Sequence, residues 1–435
     1  PRQSIGLQRP PIAQGTRRIS TMSDASLGTG DPFTPTLALP DTIAQDVLAR
    51  VDAILPQAGG PHPLHAPEID GNAWDYVKDC LDTGWVSSVG AWVDRFEDML
   101  ADITGARHAI ATINGTAALH AALLTAGVKS GDEVLVPSFT FVATANAISY
   151  CGASPNFVDC EATGLGIDPI ALEEYLDRIG EVHGDILINR QTGAVIRAMV
   201  PVHCYGHPAD MRALCEIADR YHLIIVEDAA ESLGSTIGGM HMGRFERIGA
   251  FSFNDNKTIT TGGGGALITD DDLLARRLRH LTTTARVNDG ADLVHDMIGY
   301  NYRLPNINAA LGCAQLETLD QKLAAKRDLA ARYRETFADA DGVRYVSSPP
   351  WGESNNWLCG ILFDKARTRD LALTSLNAAG YQSRPFWAPL HSMKMYADGP
   401  RAPLPITDRL SACGLTLPSG AGLKGEIKRQ PSIDR

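Results

Sequence analysis

The sequence lacks the features that mark membrane, secreted and nucleic-acid-binding proteins. No apolar run approaches the roughly 20 residues of a spanning helix, and no apolar signal core follows the basic pair Arg17 and Arg18. The eight cysteines are scattered without a CxxC pair, which favours a reducing compartment over secretion. The net charge is −12, whereas affinity for nucleic acid needs clustered Lys and Arg. We therefore expect a cytoplasmic protein that binds neither membrane nor nucleic acid.

The pattern of apolar segments predicts an α/β protein with two domains. From about residue 70 to residue 305, helical segments alternate with short apolar strands such as "HAIATIN", "LIIVED" and "IGAFSF", which is typical of a mainly parallel sheet. A long helical run then leads into a second region. We predict a disordered tail over residues 1–40, a large domain with N-terminal helices over 41–318, and a small C-terminal domain over 319–435.

Ligands of such sheets bind beyond the carboxyl ends of the strands, where the first candidate is Lys257. It lies in a polar turn after the strand that ends near Ser252, and four glycines, 262–265, follow it. A single turn lysine is usually a surface residue. The glycines permit close approach of the backbone to a flat ligand, or they form only a hairpin. Neither a dinucleotide-binding loop nor a P-loop is present.

A second strand end offers a place for a phosphate. The strand ends at Asn114, and Gly115, Thr116 and Ala117 begin an apolar helix. Free N–H groups and the helix dipole attract an anion there, and Thr116 can add a hydroxyl. The alternative is an ordinary N-cap formed by Thr116.

A third strand, in "LIIVEDAAESLG", ends on Glu227 and Asp228. A buried carboxylate needs a partner, and a protonated pyridine nitrogen is one that it would keep cationic. The alternative is an acid at a helix N-terminus, which carries no chemistry.

Two further segments have simpler explanations. Phe139 and Phe141 in "VPSFTFVATANAI" could stack on a flat ring, but aromatic residues at this spacing belong more often to the core. The segment "HCYGHPADM" mixes His, Cys and Asp but lacks a second ligand pair of recognised spacing. We expect no metal site.

The joint order of these motifs resembles one family. The segments "VEDAAESLGS", "SFNDNKTITTGGGG" and "GYNYRLPNINAALGCAQL" are similar to the sugar aminotransferases of the DegT/DnrJ/EryC1/StrS family, and the resemblance spans roughly residues 70–418. It implies the aspartate-aminotransferase-like fold (fold type I) of enzymes that use pyridoxal 5'-phosphate (PLP). That fold has a mainly parallel seven-stranded sheet in the large domain and a smaller α+β C-terminal domain.

The resemblance also implies roles for the residues. Lys257 would be the Schiff-base lysine and proton carrier, and Asp228 would pair with the pyridine nitrogen. Phe141 would stack on the ring and Glu231 would lie near its phenolic oxygen. The phosphate would be held at the helix start and strand end, by Gly115, Thr116, Ala117 and Ser252.

Substrates and assembly follow from the same resemblance. It implies amino transfer, with L-glutamate as donor, to a nucleotide-linked 4-keto-6-deoxy sugar. "GYNYRLPN" and "LTTTAR" look most like the enzymes acting on UDP-linked N-acetyl sugars of the bacillosamine and legionaminic acid pathways. Asn301 would reach the phosphate in the partner subunit of a homodimer. The candidates for binding the sugar nucleotide are Ser88, Arg303, Arg384 and His391.

One departure from the family pattern leaves alternatives open. Asp255 stands where relatives usually have glycine, and Asp tolerates the positive φ that a glycine often adopts. A catalytically silent protein of this fold that acts as a binding or regulatory module is one alternative. The other is a PLP-dependent sugar dehydratase, in which the family replaces the lysine by His, and Lys257 argues against it.

Overall fold

The computed structural model describes residues 39–55, 61–287 and 293–423. All but the last two residues of the tail predicted over 1–40 lie outside the described residues. The described helices are α1 (Pro40–Ile54), α2 (Ala73–Thr83), α3 (Ala91–Thr104), α4 (Gly115–Thr125), α5 (Val142–Tyr150), α6 (Pro169–Ile179), α7 (Met211–Tyr221), α8 (Asp272–Thr282), α9 (Asn306–Glu317), α10 (Leu319–Thr336), α11 (Ala366–Ala378) and α12 (Pro405–Cys413).

The strands of the first half of the chain are β1 (His108–Thr112), β2 (Glu133–Pro137), β3 (Ser154–Val158), β4 (Gly180–His183), β5 (Ile186–Asn189), β6 (Val195–Met199) and β7 (Ile224–Asp228). Those of the second half are β8 (Thr236–Ile237), β9 (Met240–His241), β10 (Ile248–Ser252), β11 (Gly265–Thr269), β12 (Val343–Tyr345), β13 (Cys359–Phe363), β14 (Arg384–Pro385) and β15 (Gly414–Leu417).

The large sheet confirms the predicted α/β fold. Seven strands follow the order β1-β11-β10-β7-β6-β2-β3, and the β4-β5 hairpin extends the sheet to nine strands through β6. The β2, β3, β6, β7 and β10 pairings are parallel. Strand β11 runs antiparallel to both β1 and β10, so the sheet is mixed at this end.

Helices cover both faces of this sheet because its strands are apolar on both sides. Strands β2 and β11 are buried at every position. Helices α4, α5 and α8 pack on one part of the sheet, and α6 and α7 pack on another. Burial on two faces explains why the strands appear in the sequence as continuous apolar runs rather than alternating ones.

A second, antiparallel sheet has the order β12-β13-β15-β14. Its core includes α10, α11 and the first helix, α1, whose Val47 and Val51 are fully buried there. Helix α1, which we assigned to the large domain, thus shares the core of the second sheet. We propose Leu319, where α10 begins, as the start of the small domain. None of the described helices has the length and apolar character needed to cross a membrane.

Candidate active site

The register of the sheet brings the predicted residues to one edge. Gly265 at the start of β11 pairs with Thr112 of β1 and with Ser252 of β10. Ala250 of β10 pairs with Asp228 of β7. The carboxyl ends of β1, β7 and β10 therefore meet, and ligands of such sheets gather at this edge.

Helix α4 begins beside Ser252. Its N-cap is Asn114, whose Oδ1 accepts a 2.8 Å hydrogen bond from the N–H of Ala117. The cap therefore lies two positions before Thr116, which the sequence offered as the alternative N-cap. A Cβ on Gly115 would come within 2.8 Å of the Ser252 Cβ. Glycine thus lets the positive end of the helix lie against the Ser252 hydroxyl group, which is a suitable arrangement for an anion.

Glycines 262–265 mainly permit close packing and turning of the chain itself. A Cβ on Gly265 would lie 2.5 Å from the carbonyl carbon of Asn114, and Gly262 has a φ of +78°. Of the four glycines, only Gly263 has no neighbouring atom within 4 Å of the place that a Cβ would take. Gly264 and Gly265 are thus required by close contacts within the chain itself, whereas Gly263 has open space beside it.

Asp228 is buried at the end of β7. Its Oδ2 accepts a 2.7 Å hydrogen bond from Thr144 Oγ1, and its Oδ1 accepts a 3.2 Å bond from the N–H of Ala230. Burial raises the pKa of Asp228, and these hydrogen bonds oppose the rise. The chain turns after Asp228 instead of entering a helix, so the alternative role as a helix N-terminal acid does not apply.

Glu227 has a different environment from its neighbour. Its carboxylate contacts His203 Nε2 at 3.2 Å and accepts hydrogen bonds from the N–H groups of Gly243 and Glu246. His203 Nδ1 in turn accepts the N–H of Ala209. These partners make Glu227 and His203 structural. Within the described residues no group of three or more His, Cys, Asp and Glu side chains could hold a metal ion.

Lys257 is enclosed rather than solvated. Its Nζ donates a 3.1 Å hydrogen bond to Glu231 Oε1, and only 13% of its side chain is exposed. Glu231 Oε2 accepts a 2.8 Å bond from the N–H of Tyr205. Burial raises the pKa of Glu231 to about 7, against the lowering effect of Lys257. The pair therefore combines an amine with a carboxyl group that changes charge near neutral pH.

Asp255 does not disturb this turn. It is exposed, its Oδ1 accepts a 2.7 Å hydrogen bond from Asn254 Nδ2, and it is not among the residues with positive φ. The turn therefore does not depend on the tolerance of Asp for positive φ, and a glycine is not required at this position.

The two phenylalanines occupy different environments. Phe139 is fully buried among Tyr205, Phe386 and Trp387, so it belongs to the core. Phe141 precedes α5 and is 56% exposed. Only Phe141 is thus available to cover a ligand.

The remaining candidates lie in several places. The backbone of Arg303 forms a β-bridge with Thr112, and its guanidinium group lies 3.8 Å from the Glu97 carboxylate. Burial lowers the pKa of Arg303. Asn301 is exposed. His391 Nδ1 lies 2.8 Å from Ser138 Oγ, and burial lowers its pKa.

Arg384 is exposed on β14, and Ser88 is half-buried in the loop before α3. The described contacts do not join either residue to the strand-end group of Asp228, Glu231, Ser252 and Lys257.

Sequence reasoning missed two contacts of this group. Thr144, which binds Asp228, lies one helical turn after Phe141 and could have been found from that spacing. Trp357 could not, since it comes from the second region and reaches Lys257 only through the fold. Its ring centroid lies 3.9 Å from Lys257 Nζ.

Comparisons with known proteins find relatives over most of the chain. The model of the DegT/DnrJ/EryC1/StrS aminotransferase family matches residues 67–430. GDP-perosamine synthase of Caulobacter vibrioides is 40% identical over 363 residues, which cover 82% of this chain and 93% of the relative. EpsN of Bacillus subtilis, named as a putative pyridoxal phosphate-dependent aminotransferase, is 36% identical over 83% of this chain and 91% of its own length.

A solved structure has the same fold. The crystal structure of DesI with its TDP-sugar product has a TM-score of 0.73 at 32% identity, and the match covers 82% of this chain and 88% of DesI. The matches therefore extend over both sheets.

Proposed function

The chain belongs to the DegT/DnrJ/EryC1/StrS aminotransferase family, and on this premise we propose that it moves an amino group from L-glutamate to the 4-keto group of a nucleotide-linked 4-keto-6-deoxy sugar. It is a PLP-dependent sugar aminotransferase. The observation that carries the proposed amino transfer is the Lys257–Glu231 pair beside the end of β7, where Asp228 is buried.

The residues at the strand ends fit PLP. Asp228 is a buried carboxylate with a raised pKa that a cationic ring nitrogen would compensate. The start of α4 beside Ser252 suits a phosphate. The exposed Phe141 offers a flat surface for a ring. We propose that these residues, with Thr116, hold the cofactor.

The chemistry divides between cofactor and protein. When bound, PLP supplies an aldehyde that accepts the amino group and a ring that withdraws electrons from the α-carbon of the donor. Asp228 would favour the protonated form of the ring nitrogen. Lys257 would hold the cofactor through its aldehyde, and its Nζ would carry the proton that leaves the α-carbon. Glu231 accepts a 3.1 Å hydrogen bond from Lys257 Nζ and would orient this amine for the transfer.

The nucleotide is proposed from the relatives. The C. vibrioides relative is named GDP-perosamine synthase, which supports a GDP-linked substrate for this chain. The motif "GYNYRLPN" predicted a UDP-linked N-acetyl sugar instead, and that prediction stays open as the second candidate.

We propose a homodimer whose active site is shared. The segment with Asn301 and Arg303 lies alongside β1, through the bridge between Thr112 and Arg303, and Asn301 is exposed. The exposure of Asn301 supports the proposal that it binds the phosphate in the partner subunit. Cytoplasmic location remains part of the proposal.

A substrate screen tests the proposed function. The purified protein, loaded with PLP, is incubated with L-glutamate and with GDP-, UDP- or dTDP-linked 4-keto-6-deoxy sugars, and the products are separated by chromatography. We expect an aminated GDP-sugar together with 2-oxoglutarate. An aminated UDP-N-acetyl sugar would support the second candidate. Loss of a hydroxyl group without amination would indicate a dehydratase, and no product from any sugar would overturn the proposal.

A further inference from the structure

One indole ring contacts the Lys257 turn at two points. The centroid of the Trp357 ring lies 3.9 Å from Lys257 Nζ. The indole N–H donates a 2.6 Å hydrogen bond to the carbonyl oxygen of Asn256, the residue before Lys257. Trp357 is only 4% exposed. The same side chain therefore holds both the backbone of the turn and the end of the lysine.

The position of Trp357 is coupled to that of Glu231. The Asn355 side chain donates 2.8 Å hydrogen bonds to the carbonyl oxygens of Glu231 and Leu233, and its Oδ1 accepts the N–H of Trp357 at 2.8 Å. Asn356 has a φ of 52°, which turns the chain between them. One amide group thus joins the backbones of the two residues whose side chains contact Lys257 Nζ.

The buried Lys326 side chain binds the backbone of Trp357. Lys326 Nζ donates hydrogen bonds to the carbonyl oxygens of Trp357, at 3.1 Å, and of Ser419, at 2.6 Å. It also lies 2.9 Å from His65 Nε2. These bonds join α10 to the start of β13 and fix the backbone of Trp357.

We infer that Trp357 is a positioning residue for Lys257, whose amine it holds beside Glu231 whenever that amine is not attached to the cofactor. The inference rests on the proposed function of Lys257. A ring face attracts an ammonium group, and the bond from the indole N–H to the carbonyl oxygen of Asn256 fixes the ring against the turn that carries Lys257. The lysine must return to one place in each half-reaction, and the Trp357 and Glu231 contacts define that place.

The test uses the full-length enzyme loaded with pyridoxamine phosphate, which leaves Lys257 Nζ free. Acetic anhydride labels lysines, and mass spectrometry of the Lys257 peptide gives its labelling rate. Trp357→Phe keeps a ring face, whereas Trp357→Leu removes it. Trp351→Phe is the matched control, because the Trp351 indole bonds to the carbonyl oxygen of Pro208 instead of the Lys257 turn.

We expect Trp357→Leu to raise the labelling rate of Lys257 about tenfold, because the ring contact that protects the ammonium is lost. Trp357→Phe should recover most of the protection, and Trp351→Phe should match wild type. In steady-state assays Trp357→Leu should lower kcat while KM for the sugar stays within about twofold. Equal labelling in wild type and Trp357→Leu would overturn the inference.

A second measurement separates this inference from the proposed function. Borohydride reduction of each PLP-loaded variant attaches the cofactor to its lysine. Attachment to Lys257 in every variant, with unchanged labelling rates, means that only the role of Trp357 is wrong. Failure to attach to Lys257 in wild type means that the proposed function is wrong. Thermal unfolding of each variant shows whether the fold is retained.

Discussion

Thr144 Oγ1 donates a 2.7 Å hydrogen bond to Asp228 Oδ2 and thereby joins the first turn of α5 to the end of β7. Phe141 is the N-cap of the same helix. The Thr144 hydroxyl group thus fixes the position of Phe141, the proposed stacking residue, relative to Asp228, the proposed partner of the ring nitrogen.

Asp228→Asn should slow the glutamate half-reaction by roughly 100-fold, the scale for removing one electrostatic group from an active site. The neutral amide no longer favours a protonated ring nitrogen. Thr144→Val, which removes only the hydrogen bond, should cost about fivefold. Single-turnover absorbance measurements check both values, and a wild-type rate in Asp228→Asn would refute the carboxylate role.

Glu231→Gln should change how the stability of the cofactor-free protein depends on pH. The pKa of Glu231 is raised from 4.5 to about 7 in the folded protein. As pH rises, the Glu231 carboxyl loses its proton in the unfolded chain near pH 4.5 and in the folded protein only near pH 7. The free energy of unfolding of wild type should therefore fall relative to that of the variant between these two pH values. Urea unfolding over this pH range measures the difference, and parallel profiles would contradict the assignment of burial as the cause.

Gly115→Ala should weaken PLP binding more than Ser252→Ala does. The added Cβ would come within 2.8 Å of the Ser252 Cβ and displace the start of α4. Ser252→Ala removes one hydroxyl donor and leaves the packing intact, so we expect a loss of about fivefold. Equilibrium dialysis with PLP gives both affinities. A weaker effect of Gly115→Ala would show that the helix start does not hold the phosphate.

Asp255→Gly should leave kcat within about twofold of wild type, since exposed substitutions without special contacts have small effects. Asp255 is exposed and does not have a positive φ. Steady-state kinetics with glutamate provide the check. A large gain in kcat would instead mean that the Asp255 charge hinders Lys257.

The parts of the site that follow one strand each could be predicted from the sequence. Asp228 ends a continuous apolar strand, and Ser252 and Lys257 follow another. The sequence offers Thr116 as an alternative N-cap, whereas the N-cap of α4 is Asn114, because both residue types can cap a helix. The contact of Trp357 with Lys257 joins two distant segments, and local patterns carry no information about it. The same is true of α1, whose apolar face does not indicate which sheet it covers.

The central claim is that Lys257 carries the cofactor and the proton. Borohydride reduction of the PLP-loaded wild type, followed by peptide mass spectrometry, tests it most directly. We predict the pyridoxyl group on Lys257, and a folded Lys257→Arg variant with neither this label nor turnover. A label on another lysine such as Lys326, or normal turnover in Lys257→Arg, would contradict the claim.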